Sequence, residues 1–146
     1  MKSILYLLTI LLCVAGDGCK KAAHNDNSLR SLPGTWELIK ITGGFTQEFP
    51  TGSGNYFKFT GNEYELYTNG TLSKKGTYTI VSELMSPGNE CGPSVQGFTP
   101  TLHQRIIYDG KTDSTREAIE ISAGTMKLTS GCFALDYGVE KLFVKK

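Results

Sequence analysis

The chain has 146 residues, a formal net charge of +1, 39% hydrophobic and 20% charged residues. That balance excludes a basic nucleic-acid footprint and a disordered composition. The length suits one domain and is short for two.

The chain opens with "MKSILYLLTILLCVAGDGCKK". Lys2 gives a positive start, and Ile4 to Ala15 is an apolar run. The run is shorter than the roughly 20 apolar residues that a membrane-spanning helix needs. It reads as an export signal, to be set aside from the fold. "VAGDGCKK" allows two cuts. One follows small residues, by an ordinary signal peptidase. The other resembles a bacterial lipoprotein signal, which implies residues 1–18 as signal and Cys19 as the lipidated mature N-terminus. With several acyl chains such an anchor is stable, since each buried methylene contributes about 0.8 kcal/mol. The resemblance places the protein in the cell envelope, on the outer membrane of a Gram-negative bacterium. Residues 19–31, "CKKAAHNDNSLRS", are polar and aperiodic. They read as a tether, with His24 solvated in it.

From Leu32 the hydrophobic period is two. "TWELIKI" (35–41) sets Trp36 and Leu38 on one face and Glu37 on the other. The alternation blurs at Ile39 and Ile41, as a bulge or a strand apolar on both faces would make it do. Residues 42–54 read as a long loop. "NYFKF" pairs Phe57 with Phe59, and "EYELY" pairs Tyr64 with Leu66 opposite Glu63 and Glu65. Asn69-Gly70 is a strong hairpin signal, because both central residues of a type I′ turn need positive φ. The same letters form an N-glycosylation sequon, but the turn accounts for them. "SKKGTYTIV" puts Tyr78 with Ile80.

A second loop, from about residue 83 to 101, is rich in Pro and Gly and carries Cys91. The remaining strands are "LHQRIIY", with His103 and Arg105 projecting outward, then "REAIEIS", "TMKLTS" and "EKLFVKK". Eight strands joined mostly by short turns predict an antiparallel meander, since parallel neighbours need long crossovers. Closure into an all-β, eight-stranded up-and-down barrel removes its edges.

Cys91 and Cys132 remain once Cys13 and Cys19 are assigned to the leader and the anchor. In an oxidising compartment they read as a disulfide. It would close a loop of about 40 residues, valued at roughly 4 kcal/mol by chain entropy.

"GTW" at 34–36 resembles the G-x-W that opens the first strand of the lipocalin and wider calycin group. A long loop after that strand and a meander of eight strands accompany it. So does a basic residue on the last strand, Lys141 or Lys145. The opening "L-x-G-T-W-x-L" is most similar to bacterial lipocalin-like lipoproteins. The resemblance covers residues 32–146. It implies that Gly34, Trp36 and Lys145 mark the barrel base and that an open end takes a small ligand. The segment before the last strand leaves no room for the long helix that lipocalins carry, which implies a smaller barrel.

By alternation the inner face holds Trp36, Leu38, Phe57, Phe59, Tyr64, Leu66, Tyr78, Ile80, Ile119, Ile121, Met126, Leu128, Leu142 and Val144. All of these except Trp36, Leu142 and Val144 are candidates to line a ligand site, with Tyr64 and Tyr78 as orienting hydroxyls. The competing expectation is a barrel filled by these side chains, in a structural or protein-interaction lipoprotein.

Catalysis is not indicated. His103 is the only histidine in the domain, and nothing around it marks a nucleophile's base. Glu63/Glu65 and Glu117/Glu120 are paired carboxylates without a partner set. "DGKTDSTRE" lacks the ligand order of a calcium loop. These readings imply no enzyme, no metal and no cofactor. They imply a monomer that contacts a membrane through its lipid, takes a small hydrophobic ligand and has no nucleic-acid partner.

Overall fold

A computed structural model describes residues 30–85, 101–112, 117–131 and 138–146. The signal, the lipidation of Cys19 and the Cys91–Cys132 disulfide fall outside the described residues. Among the described residues nine strands follow one another: β1 (Gly34–Thr42), β2 (Thr46–Glu48), β3 (Tyr56–Thr60), β4 (Glu63–Thr68), β5 (Thr71–Met85), β6 (Thr101–Tyr108), β7 (Glu117–Ser122), β8 (Thr125–Ser130) and β9 (Val139–Lys145). Each strand from β3 to β9 pairs antiparallel with the next, β1 pairs with β3, and β9 returns to β1. The result is a closed eight-stranded antiparallel up-and-down barrel. The ninth strand, β2, is a three-residue addition on β1. It lies in the segment expected to be a loop, where Lys40 to Thr42 find partners that β3 does not supply.

One further boundary differs from the sequence reading. β5 runs on to Met85 and pairs with all of β6, so the second long connection begins later than residue 83. Asn69 and Gly70 both take positive φ, 51° and 77°, as the tight β4–β5 turn requires.

The inner face follows from register, because directly paired residues share a face. Trp36 pairs with Phe57 on one side and Lys145 on the other, and Leu38 pairs with Phe143. Inward positions on β9 are therefore Lys141, Phe143 and Lys145. Leu142 and Val144, expected inside, face outward. A basic residue over the tryptophan and an inward Leu142/Val144 pair cannot coexist on one strand of period two. The other apolar positions expected inside belong to the core cluster or pack against it, together with Leu32, Ile106, Tyr108 and Phe143.

Leu32 and Trp36 close one end of the barrel; they are 1% and 0% exposed. The Trp36 indole donates to the Leu32 carbonyl at 2.6 Å. Lys145 lies 5.1 Å from the indole ring centroid and donates to the Ser31 carbonyl. Gly34 is required here. Its φ is +134°, and a Cβ would stand 2.9 Å from Lys145 Cε. Glu37, on the outer face, is also buried. It accepts from the Gly52 backbone N–H at 2.6 Å and lies 3.3 Å from Lys146 Nζ, so it fastens the β2–β3 connection to the wall.

Arg105 shares the outer face with His103 but is not solvated. It is 6% exposed, pairs with Glu83 and donates to the Thr112 carbonyl. Glu117 and Glu120 point to opposite faces, toward Lys141 and Lys127.

Trp36 fills the base and satisfies the Leu32 carbonyl, so Trp36→Ala is expected to cost about 3–5 kcal/mol. Urea unfolding followed by circular dichroism measures it. A loss below about 1 kcal/mol would contradict this packing role.

Candidate functional site

Four strands meet at the end of the barrel away from Trp36. β1 arrives with Leu38 and Ile41, β3 starts at Tyr56, β4 ends at Thr68, and β9 begins near Lys141. The bulge between Leu38 and Lys40 decides what β1 offers there. Strict alternation after Leu38 would aim Lys40 inward. The extra residue, Ile39, turns Lys40 outward, where it pairs with Glu48 at 3.8 Å, and turns Ile41 inward opposite Lys141.

Below this end aromatic rings pack together in the interior. Phe57 is the hub of an aromatic cluster, with Phe59, Tyr64, Tyr108 and Phe143 around it at ring separations of 5.3, 6.2, 6.1 and 5.7 Å. Above Phe57 and Phe143 the packing stops. A half-open hollow of about 180 Å³ remains, walled on the inside by Leu38, Ile41, Phe57, Leu66, Phe143 and Lys141. The rim residues Asn55 and Thr68 have their polar side-chain atoms engaged elsewhere, with Ser53, Asn69 and Ser73. A larger hollow, about 280 Å³, lies on the β4–β5 hairpin, lined by Glu63, Tyr64, Glu65, Lys75, Gly76 and Thr77.

Sequence reasoning named Leu38, Phe57 and Leu66 among the lining residues. Tyr64, Tyr78, Ile80, Phe59, Ile119, Ile121, Met126 and Leu128 are core or core-packing groups rather than walls of the hollow. The Tyr78 hydroxyl donates to the Gly61 carbonyl, at a turn rather than in the hollow. Ile41, Phe143 and Lys141 were missed as lining residues. The first was hidden by the bulge and the other two by the choice of face on β9, although an inward basic residue on that strand was the available signal.

Charged groups at this end come in pairs. Lys141 Nζ donates to Glu117 Oε1 at 2.9 Å; both are inward, and the Glu117 side chain is 12% exposed. Next to them, Lys74 Nζ is 3.3 Å from Asp109 and lies over the Tyr64 and Tyr108 rings at 5.5 and 5.9 Å. Tyr64 donates to Asp109 at 3.1 Å, and the Thr77 N–H also donates to that carboxylate. Gly76 admits this arrangement, because a Cβ there would overlap the Asp109 carboxylate.

Loss of hydration works against the Asp109 charge. The Tyr64 hydroxyl, the Lys74 ammonium and the Thr77 N–H outweigh it and hold the carboxyl below its usual 3.8. Tyr108 is pushed well up, chiefly by burial and further by the Glu117 charge, so it keeps its proton.

No group of three potential metal ligands occurs among the described residues. No family model, curated protein or solved structure shows a significant match to the chain.

Asp109 has its carboxyl pKa lowered by folding, so it contributes stability above the unfolded value of 3.8 that is lost as pH falls through the lower folded value. Asp109→Asn should therefore flatten the fall in stability below about pH 4. Thermal unfolding of both proteins between neutral pH and acid tests this. Parallel acid profiles would remove Asp109 from the account.

Proposed function

We propose that the chain is an exported, lipid-anchored, lipocalin-like barrel that binds a small apolar or amphipathic molecule at its open end. The observation that carries the reading is the half-open hollow of about 180 Å³ above a packed floor. An eight-stranded barrel is wide enough to be filled by side chains or to hold one small ligand. This one divides the two roles along its axis.

Size narrows the ligand. Drug-sized ligands occupy pockets of about 300–1,000 Å³. An apolar cavity of about 150 Å³ takes a single benzene ring. The ligand that fits is therefore one ring, or a short chain of similar bulk, with any remainder projecting past the mouth. Aromatic walls at Phe57 and Phe143 favour a ring through offset or edge contacts. The Gly34–Trp36–Lys145 arrangement at the base supports the lipocalin-like reading, since it is the grouping that the resemblance implied. The anchor at Cys19 and the Cys91–Cys132 disulfide belong to the proposal on sequence grounds alone.

A backbone-amide NMR titration with benzyl alcohol tests the binding. Saturable shifts are expected at Leu38, Ile41, Leu66 and Phe143, with Trp36 unmoved and a Kd of about millimolar or tighter. Leu66→Trp should fill the hollow and abolish those shifts while the barrel stays folded. The absence of any saturable shift in the wild type would leave the filled, structural barrel as the better reading.

For the anchor, Cys19→Ala expressed in a Gram-negative host should move the protein from the membrane fraction to the soluble fraction. Retention in the membrane would overturn lipidation. Non-reducing peptide mapping should recover Cys91 and Cys132 in one linked peptide.

A further inference from the structure

We propose that the Glu117–Lys141 ion pair makes the mouth hollow select an uncharged ring bearing a hydrogen-bond acceptor, and discriminate against the corresponding carboxylate. The proposal rests on the ligand-binding reading above and adds the chemistry of the ligand's polar end.

Among the described wall residues of the hollow, Lys141 carries the one charged side chain; Leu38, Ile41, Phe57, Leu66 and Phe143 supply carbon, and the polar atoms of Asn55 and Thr68 are engaged with Ser53, Asn69 and Ser73. The Lys141 ammonium has three N–H donors. One is spent on Glu117 Oε1 at 2.9 Å. No other hydrogen bond engages this ammonium among the described residues. A ligand that sets its ring on Phe57 and Phe143 can therefore place an acceptor against Lys141.

Charge decides which acceptor. Glu117 faces inward opposite Ser130 on β8 and Ile106 on β6, and its carboxylate lies 2.9 Å from Lys141 Nζ. The neighbouring ammonium, Lys74, is likewise matched by Asp109 at 3.3 Å. Arg105, on the outer face, is matched by Glu83 at 3.2 Å. Among the described residues, these ammonium and guanidinium groups are each matched by a carboxylate, so their donors carry no uncompensated charge. A carboxylate reaching Lys141 would have to surrender hydration and then share that ammonium with Glu117. A neutral carbonyl or amide oxygen surrenders less hydration and meets no such competition. Glu117 is accordingly the specificity-determining residue, and Lys141 is the group that touches the ligand.

The test measures binding of benzamide, benzoate and toluene to the wild type, Glu117→Gln and Lys141→Met by NMR titration at neutral pH. In the wild type benzamide should bind about tenfold tighter than benzoate, the scale of a like-charge contact in a partly screened site. Glu117→Gln frees the Lys141 charge and should shift the benzoate-to-benzamide ratio about tenfold toward benzoate. Lys141→Met should bring benzamide down to the level of toluene.

Benzoate binding the wild type as tightly as benzamide overturns the proposal, and that result does not depend on either variant folding. An unchanged ratio in a folded Glu117→Gln overturns it as well. If toluene and benzamide bind the wild type equally, the acceptor site is wrong but the hollow is real. If none of the three binds, both this inference and the ligand-binding reading fall.

Discussion

The pairing of β1 with β9 is the constraint on which the rest of this structure depends. It is the last contact to form along the chain order, and it turns a meander with two open edges into a barrel with none. Its register is also what assigns faces. With Trp36 opposite Lys145 and Leu38 opposite Phe143, every second residue of β9 is committed to the interior. A slip of one residue would exchange Phe143 for Leu142 and remove both lysines from the inside. The bulge after Leu38 then resets β1, so that Ile41 rather than Lys40 meets Lys141. One extra residue thus decides whether the mouth has an apolar wall or two facing cations.

From that closure the interior divides. At the base, an indole, the Leu32 side chain and the Lys145 ammonium fill the space, and the indole N–H finds the Leu32 carbonyl. In the middle, Phe57 gathers four rings. Beyond those rings the inward positions pass to Leu38, Ile41 and Leu66, which border the hollow. The hollow is what those branched side chains leave.

The polar groups near the mouth obey a different rule. A charge held partly out of water must be matched, and each of Lys141, Lys74 and Arg105 has a carboxylate within 3.3 Å. The Lys141–Glu117 pair links β9 to β7 across β8, and the Arg105–Glu83 pair links the neighbouring strands β6 and β5.

Strand identity, antiparallel order and the inward set from Phe57 to Leu128 were legible in the sequence, because a half-buried strand writes its faces as a period of two and short turns allow only neighbouring antiparallel partners. Gly34, Trp36 and Lys145 were legible as a group through the resemblance. Three features were not. The inward face of β9 was ambiguous, because "EKLFVKK" has apolar residues in both phases and only pairing with β1 chooses between them. The inward aim of Ile41 needed the bulge, whose effect is a local loss of period that the letters show but do not resolve. The burial of Glu37 and Arg105 needed tertiary contacts, since both occupy outward positions and are engaged by the connections at Gly52 and Thr112. The sequence by itself determined a closed meander with an aromatic interior. Only the tertiary structure decided where that interior stops being full, because packing depends on which side chains face each other across the barrel, and register settles that.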